Sequence, residues 1–179
     1  KVSVNISAYN AEKYIKDTIE SILNQTFQDF EIIIVNDGST DGTVKIVESF
    51  TDPRIRLYHN EKNMNLVVTR NKGLALSKGE YIAIIDSDDI ARKDRLERQV
   101  EFMDSHPDVG VCGSWIKYFD AIEGIHKYPV DPDEIKCMLF FTNVIAQPSV
   151  MLRKSLLDKY NLRYTRIFLE DYDLWVKCS

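Results

Sequence analysis

The sequence contains few cysteines, histidines and glycines, and this scarcity excludes several kinds of site. Its cysteines, Cys112, Cys137 and Cys178, are odd in number, lie far apart and form no CxxC pair, so neither a disulfide framework nor a zinc knuckle is implied. Unpaired cysteines are typical of reducing compartments, so we expect a cytoplasmic protein. The three histidines form no HExxH motif, and neither GxGxxG nor GxxxxGK[ST] occurs. The usual backbone cradles for dinucleotides and for P-loop phosphates are therefore excluded.

The sequence also lacks net positive charge and long apolar runs. Its formal net charge is −5, and a field of this sign repels phosphate backbones, so we expect no nucleic acid partner. No apolar run approaches the roughly 20 residues of a spanning helix, which predicts no membrane span but leaves peripheral association with the inner membrane face open. The chain begins at Lys1 in a strand-like run and ends inside an amphipathic pattern. We interpret it as a piece of a longer protein, without a signal peptide.

What remains is the composition of one globular domain: 179 residues, 44% hydrophobic and 28% charged. Strand-like runs at residues 2–6, 31–35, 55–58 and 81–85 alternate with helical patterns. The run EIIIV at 31–35 is continuously apolar, which is typical of a strand buried on both faces of a parallel sheet. This alternation predicts an α/β fold with a central, mainly parallel sheet flanked by helices.

The second half of the chain is less regular. A helix is expected to end at Pro107, a strand-like run covers 109–119, and a short helix lies near 135–139. A further strand is predicted over 149–152 and a helix from Glu170 onward. Because no repeat, linker or low-complexity tract occurs, we expect one continuous domain over residues 1–179.

Polar side chains cluster where the predicted strands end. Ser7 and Tyr9 follow the first strand, Asp37 follows the second, and the run DSDD follows the fourth. In open parallel sheets, ligands bind outside the carboxyl ends of the strands. We therefore expect these side chains to line one crevice.

The run Asp86-Ser87-Asp88-Asp89 is the most informative of these. Clustered carboxylates repel one another unless a cation neutralises them, and Mg²⁺ is usually held by one or two carboxylates together with substrate phosphates. On an extended backbone Asp86 and Asp88 would point the same way and Asp89 elsewhere. One interpretation is a divalent ion that joins the protein to a diphosphate. The other is a polar turn whose aspartates cap the following helix.

Other candidate residues also allow two interpretations. Tyr9 either stacks on a base or covers the sheet edge. Asp37 either binds a base or ribose or forms an Asx turn. Arg70 pairs with phosphate or with Asp37, or else lies on a solvated helix face. Glu170 and Asp171 open a helical segment, where the helix dipole stabilises acids whatever else they do.

Five segments together resemble family-2 inverting glycosyltransferases, in the same order: VSVNISAYN, EIIIVNDGSTDGT, TRNKGLALSKGEYIAIIDSDD, NVIAQPSVMLRK and LEDYDLW. The resemblance covers nearly the whole chain. It implies the Rossmann-like GT-A fold of nucleotide-diphospho-sugar transferases, with a nucleotide-binding half at about 1–105 and an acceptor-side half at about 106–179. The chain departs from the family at Asn5 and Ser7, which replace an apolar residue and a proline, and at Asn65, where glycine is common.

The resemblance also implies a role for each matching residue. Nucleotide-binding residues would be Ser7, Tyr9, Asp37, Arg70, Asp86, Ser87 and Asp88. The DxD motif would hold Mn²⁺ or Mg²⁺ through Asp88 and Asp89. Asp171 would be the catalytic base, with Glu170 and Gln147 on the acceptor side.

The implied reaction moves a sugar from a nucleotide sugar, preferably a UDP-sugar, to the hydroxyl of a saccharide or lipid-linked acceptor, as in polysaccharide or glycoconjugate synthesis. A single displacement would invert the anomeric centre. A sugar-1-phosphate nucleotidyltransferase would need a basic, glycine-rich loop where AYNAEKY stands, and a receiver-like domain would need an acidic pair after the first strand. A binding module without catalysis is a further alternative, although the carboxylates are all present.

Overall fold

The computed structural model describes residues 1–119, 123–165 and 168–179. The strands within these residues are β1 (Val2–Ala8), β2 (Phe30–Asn36), β3 (Ile55–His59), β4 (Tyr81–Asp86), β5 (Val111–Cys112), β6 (Ile116–Tyr118), β7 (Gly124–His126) and β8 (Met151–Arg153). The helices are α1 (Ile15–Leu23), α2 (Thr43–Glu48), α3 (Leu66–Leu76), α4 (Arg95–Ser105), α5 (Pro132–Met138), α6 (Lys154–Lys159) and α7 (Glu170–Cys178), with a 3₁₀ turn at Gln147–Ser149.

The main sheet has the strand order β3-β2-β1-β4-β8-β5 in the described part of the chain. The pairs β1–β2, β1–β4 and β2–β3 are parallel, whereas β8 runs antiparallel to β4 and β5. The predicted α/β fold with a mainly parallel sheet is therefore confirmed. In this register Ser7 of β1 lies beside both Val35 and Asp86, so the carboxyl ends of three strands meet at one edge.

Helices cover both faces of the sheet, and β2 and β4 are apolar on both sides, whereas one side of β1 carries Ser3, Asn5 and Ser7. On β4, Tyr81, Ala83 and Ile85 belong to a cluster with α1 and α4. The alternate residues Ile82 and Ile84 belong to a second cluster that includes side chains of α6 and α7. A strand that must satisfy two apolar layers has no polar positions until it ends, and this confines its polar residues to the site edge.

The strand-like run at 109–119 is divided rather than continuous. The chain leaves the main sheet after β5 and joins β7 in a separate hairpin through β6. The break coincides with a hydrogen bond from Ser114 N to Ser149 Oγ at 3.0 Å and with Trp115 Nε1 donating to Tyr128 O at 2.9 Å. At the break, these hydrogen bonds to side chains take the place of hydrogen bonds between strands. The alternation of apolar and polar residues does not reveal such contacts, so the sequence did not indicate the break. No helix in the described ranges is long and apolar enough to cross a bilayer.

Candidate active site

A cleft of about 340 Å³ opens at the carboxyl ends of β1, β2 and β4. It brings together every predicted nucleotide-binding residue, namely Ser7, Tyr9, Asp37, Arg70, Asp86, Ser87 and Asp88. Four other lining residues, Ala8, Asn63, Leu66 and Thr69, were not among the predicted site residues, and Asn65 was noted only as a departure from the family. Asn63 and Asn65 lie in the loop before α3, and Leu66 and Thr69 lie in the first turn of that helix. The asparagines and apolar residues of this segment have no recognisable spacing.

Asp37 lies at the inner end of this cleft and is only 4% exposed. One carboxylate oxygen, Oδ1, accepts hydrogen bonds from Asn60 Nδ2 at 2.7 Å and from Met64 N at 2.9 Å. These donors are 23 and 27 residues away, so the Asx-turn interpretation is wrong. Among the described residues no donor reaches Oδ2, so this oxygen can accept from a ligand.

The loop that supplies these donors passes very close to the turn after β2. Gly38 has φ +74°, and a Cβ at this position would lie 2.7 Å from the backbone nitrogen of Asn63. Only glycine combines this backbone conformation with such an approach. The NDGS turn therefore allows the loop to reach Asp37 and orient it.

Tyr9 forms the outer part of the same end of the cleft. Its side chain is 50% exposed, although it lines the cavity with Asp37. A half-exposed aromatic ring beside a buried hydrogen-bond acceptor is suited to stack on a planar group. Both interpretations of Tyr9, as a stacking residue and as a cover of the sheet edge, fit this position.

Arg70 connects the cleft to the acceptor side. It is 8% exposed, so the solvated-face interpretation is wrong, and it does not pair with Asp37. Its NH1 donates to Glu170 Oε1 at 2.5 Å and its NH2 to Asp86 Oδ1 at 3.0 Å, while the guanidinium carbon lies 5.7 Å from the centre of the Tyr164 ring. One cation thus balances one carboxylate from β4 and another from α7.

The helix that carries Arg70 begins with an unusual residue. Asn65 adopts φ +77° and its side chain accepts a hydrogen bond from Val68 N, which caps α3. Asparagine tolerates positive φ better than other non-glycine residues and is a strong N-cap. The departure from the glycine common in the family thus preserves the backbone conformation and adds a cap.

The acidic run after β4 bends instead of continuing as a strand. Asp86 ends the strand, and Asp89 N donates to Asp86 O at 3.2 Å, which closes a turn. The alternation expected of an extended backbone therefore does not apply. The capping interpretation is also wrong, since α4 begins only at Arg95, with Asp94 at its N-cap.

This turn concentrates negative charge. Burial, followed by the charges of Asp86 and Asp88, raises the pKa of Asp89 from 3.8 to about 6, and Arg95 opposes the effect only in part. Excess negative charge of this kind favours a bound cation. No group of three or more His, Cys, Asp or Glu side chains in the described residues is arranged to hold a metal.

The acceptor-side residues lie next to the cleft but do not line it. Asp171 Oδ2 accepts from Asn143 Nδ2 at 2.8 Å, and Oδ1 accepts from Tyr172 N at 2.8 Å. Gln147 is 6% exposed and donates to Tyr164 Oη at 2.7 Å. Gln147 therefore lies behind the site, where it supports the ring beneath Arg70.

Comparison with known proteins agrees with this arrangement. The chain is 37% identical to the uncharacterized glycosyltransferase MJ1057 of Methanocaldococcus jannaschii, over 99% of the chain and 64% of the relative. It is 35% identical to the glycosyltransferase GlyG of Streptococcus pneumoniae, over 89% of the chain and 52% of the relative. Residues 1–349 of S. aureus TarS in complex with UDP-GlcNAc superpose with a TM-score of 0.82 and 26% identity, over 99% of this chain and 53% of TarS 1–349.

The chain thus spans only about half to two thirds of the length of these proteins. The matches to MJ1057 and to TarS, which cover 99% of the chain, nevertheless include the whole cleft and the α7 acids. The structural likeness identifies the sheet and its helices as the GT-A fold. The family model for glycosyl transferase family 2 matches residues 3–161, and the chain therefore belongs to that family.

Proposed function

We propose that this protein is a metal-dependent, inverting glycosyltransferase that uses a UDP-sugar. The observation that carries the proposal is one cleft in which β1 separates Asp37, after β2, from Asp86 and Asp88, at the end of β4, and which Tyr9 also lines. Asp37 can accept a hydrogen bond from the nucleobase and Tyr9 can stack on it, while the separate carboxylate cluster suits the diphosphate. This arrangement matches the order of nucleobase and diphosphate in a nucleotide sugar. Arg70 adds a cation between the donor and acceptor sides.

The base preference follows from the hydrogen bonds of Asp37. Because Oδ1 is already held by two donors, Oδ2 is left to accept from a ring N–H of the base. Uracil and guanine offer such an N–H, whereas cytosine and adenine present a ring nitrogen that would repel the carboxylate. TarS, which is bound to UDP-GlcNAc, supports uracil as the base.

The carboxylates after β4 fit a divalent cation. Hard oxygen ligands in excess of local positive charge suit Mn²⁺ or Mg²⁺, and Asp86 is already paired with Arg70. Asp88, which lines the cleft, and the neighbouring Asp89 are therefore the residues that would hold the ion, together with oxygens of the diphosphate. When bound, the ion supplies positive charge to the departing nucleoside diphosphate.

Charge also distinguishes the two α7 acids. Glu170 is paired with Arg70, whereas within residues 1–119, 123–165 and 168–179 the donors to Asp171 are two neutral amides. Among these residues Asp171 is therefore not committed to an ion pair, and its carboxylate oxygens can each accept a further hydrogen bond from an acceptor hydroxyl. We therefore assign proton removal from the acceptor hydroxyl to Asp171.

In the proposed reaction, the acceptor oxygen forms a bond to the anomeric carbon as the bond to the diphosphate oxygen breaks. Asp171 takes the hydroxyl proton, and UDP leaves with the bonding electron pair. Arg70 stabilises the negative charge that develops on the diphosphate. Attack from the face opposite UDP inverts the anomeric centre in one step.

The acceptor is proposed to be a saccharide or lipid-linked saccharide, used in polysaccharide or glycoconjugate synthesis at the inner face of the membrane. Phe140, Phe141 and Phe168 are each more than 80% exposed, and they flank the segments that carry Asn143 and Asp171. Exposed aromatic side chains of this kind suit sugar faces or a lipid.

Thermal melting tests the donor site. UDP together with Mn²⁺ should raise the melting temperature more than either alone, since each completes the other's binding site. UDP and GDP should stabilise more than CDP and ADP. Asp88→Asn should lose the metal-dependent part while remaining folded, and equal stabilisation by UDP in excess EDTA would contradict the metal bridge.

Turnover tests the reaction itself. The full-length protein is incubated with a panel of nucleotide sugars and Mn²⁺, and release of nucleoside diphosphate is measured. We expect release from a UDP-sugar. Intact UDP binding without release from any donor would instead favour a nucleotide-sugar-binding module.

A further inference from the structure

A loop asparagine outside the cleft directly contacts Asp171, the proposed catalytic base. Asn143 follows α5, and its Nδ2 donates to Asp171 Oδ2 at 2.8 Å. Its Oδ1 accepts from Ile145 N at 3.2 Å. Because a backbone N–H can only donate, it fixes the amide oxygen on the side of Ile145. The amide NH₂ group must therefore face the carboxylate.

The same loop is joined to α7 at a second point. Tyr172 Oη donates to Leu139 O at 2.6 Å, while Tyr172 N donates to Asp171 Oδ1 at 2.8 Å. Each carboxylate oxygen of Asp171 thus has one neutral donor, and neither donor is free to rotate away. The carboxylate plane is set by these two contacts.

We propose that Asn143 is a positioning residue for the transfer reaction, which orients Asp171 toward the acceptor hydroxyl. This inference rests on the proposed function. A neutral donor is suited to the task, since a cation at this position would hold the charge of Asp171 too strongly for proton removal. The backbone N–H of Ile145 orients the amide of Asn143, and that amide in turn orients the carboxylate of Asp171.

The alternative is that Asn143 only ties the loop to α7 and contributes stability. The two roles predict different kinetics. A structural tie changes melting temperature without altering the pH dependence of turnover. A positioning residue changes turnover and its pH dependence while leaving UDP binding intact, because Asp37, Arg70 and the carboxylates after β4 are untouched.

The test uses the full-length protein with UDP-GlcNAc and UDP-glucose, Mn²⁺, and water as the acceptor. Release of UDP is followed between pH 5 and 9. Asn143→Ala should lower kcat by about 10-fold or more with UDP affinity unchanged. Asn143→Asp is nearly isosteric but places a like charge beside Asp171, and should move the acidic limb of the pH–rate profile upward by about one unit or more.

Thr142→Ala is the matched control, since Thr142 is exposed in the same loop and should leave both kcat and the profile unchanged. Near-normal kcat in Asn143→Ala, or an unshifted profile in Asn143→Asp, would overturn the positioning role alone. If the wild-type protein releases no UDP from either sugar, or if Asp171→Asn turns over normally, the proposed base and the role of Asn143 both fail.

Discussion

Asp89→Asn should stabilise the protein and at the same time impair its proposed metal site. Burial and two neighbouring carboxylates raise the pKa of Asp89 from 3.8 to about 6, so its negative charge opposes folding at neutral pH. A pKa difference of this size corresponds to about 3 kcal/mol in the free energy of unfolding if solvent screening is neglected. Asp89 is only half-buried, so solvent screening reduces the expected gain to about 1–2 kcal/mol.

The sign of the pH dependence follows from linkage. A carboxyl that binds its proton more tightly in the folded state destabilises that state above the unfolded pKa. The advantage of Asp89→Asn should therefore be absent below about pH 4, grow between pH 4 and 6, and stay constant above pH 6. For a chain of this size, 1–2 kcal/mol corresponds to about 2–8 °C in melting temperature.

Thermal melts in EDTA at pH 4.5 and 7.5 measure this effect. Asp88→Asn is the control: Asp88 belongs to the same turn but is exposed, and its replacement removes only the smallest of the causes that raise the pKa of Asp89, so stability should rise much less. With saturating Mn²⁺ and UDP the wild-type protein should melt at a higher temperature than Asp89→Asn, since it then gains binding energy that the variant lacks. An Asp89→Asn protein no more stable than wild type at pH 7.5 in EDTA, or equally stabilised at both pH values, would refute the reasoning.

The donor and acceptor sides of the site can be separated by substitution. Asp37→Asn keeps the acceptor for Asn60 and Met64 but presents an amide NH₂ to the base, so UDP affinity should fall by about 10- to 100-fold while CDP binds equally well or better; calorimetry measures both, and an unchanged preference for UDP would argue against base contact. Asp171→Asn should lower turnover by about 10²-fold or more at unchanged UDP affinity, and normal kcat would remove Asp171 from the mechanism. Arg70→Met should lower stability by about 2–4 kcal/mol because Glu170 and Asp86 lose their cation, and Glu170→Gln in the same chain should restore part of it. Additive losses in that double variant, measured by urea unfolding, would show that the pair is not coupled.

Parts of the site were predictable because local sequence dictates them. The continuous apolar run of β2 required burial on both faces, and this placed its first polar residues at the strand end. The same logic applies to β4 and the acids that follow it. Alternating strands and helices then implied that these ends share one edge of a parallel sheet. The cleft residues at the strand ends, Ser7, Tyr9, Asp37 and the acids after β4, could therefore be named from the sequence.

Other features depended on contacts between distant segments. Arg70 looks like a surface residue on its own helix, and its burial follows from contacts with Asp86, Tyr164 and Glu170, the last of which lies 100 positions later. Asn143 carries no sequence signal of its role, since its partner lies 28 positions away.

By itself the sequence determined which side chains the strands deliver to the edge of the sheet, because strand burial and periodicity are local properties. Only the tertiary structure decided which acid has a cationic partner and which has neutral donors. That distinction between Glu170 and Asp171 arises from long-range packing of α3 and the 139–145 loop against α7. Periodicity cannot specify such contacts, because they join elements far apart in the chain.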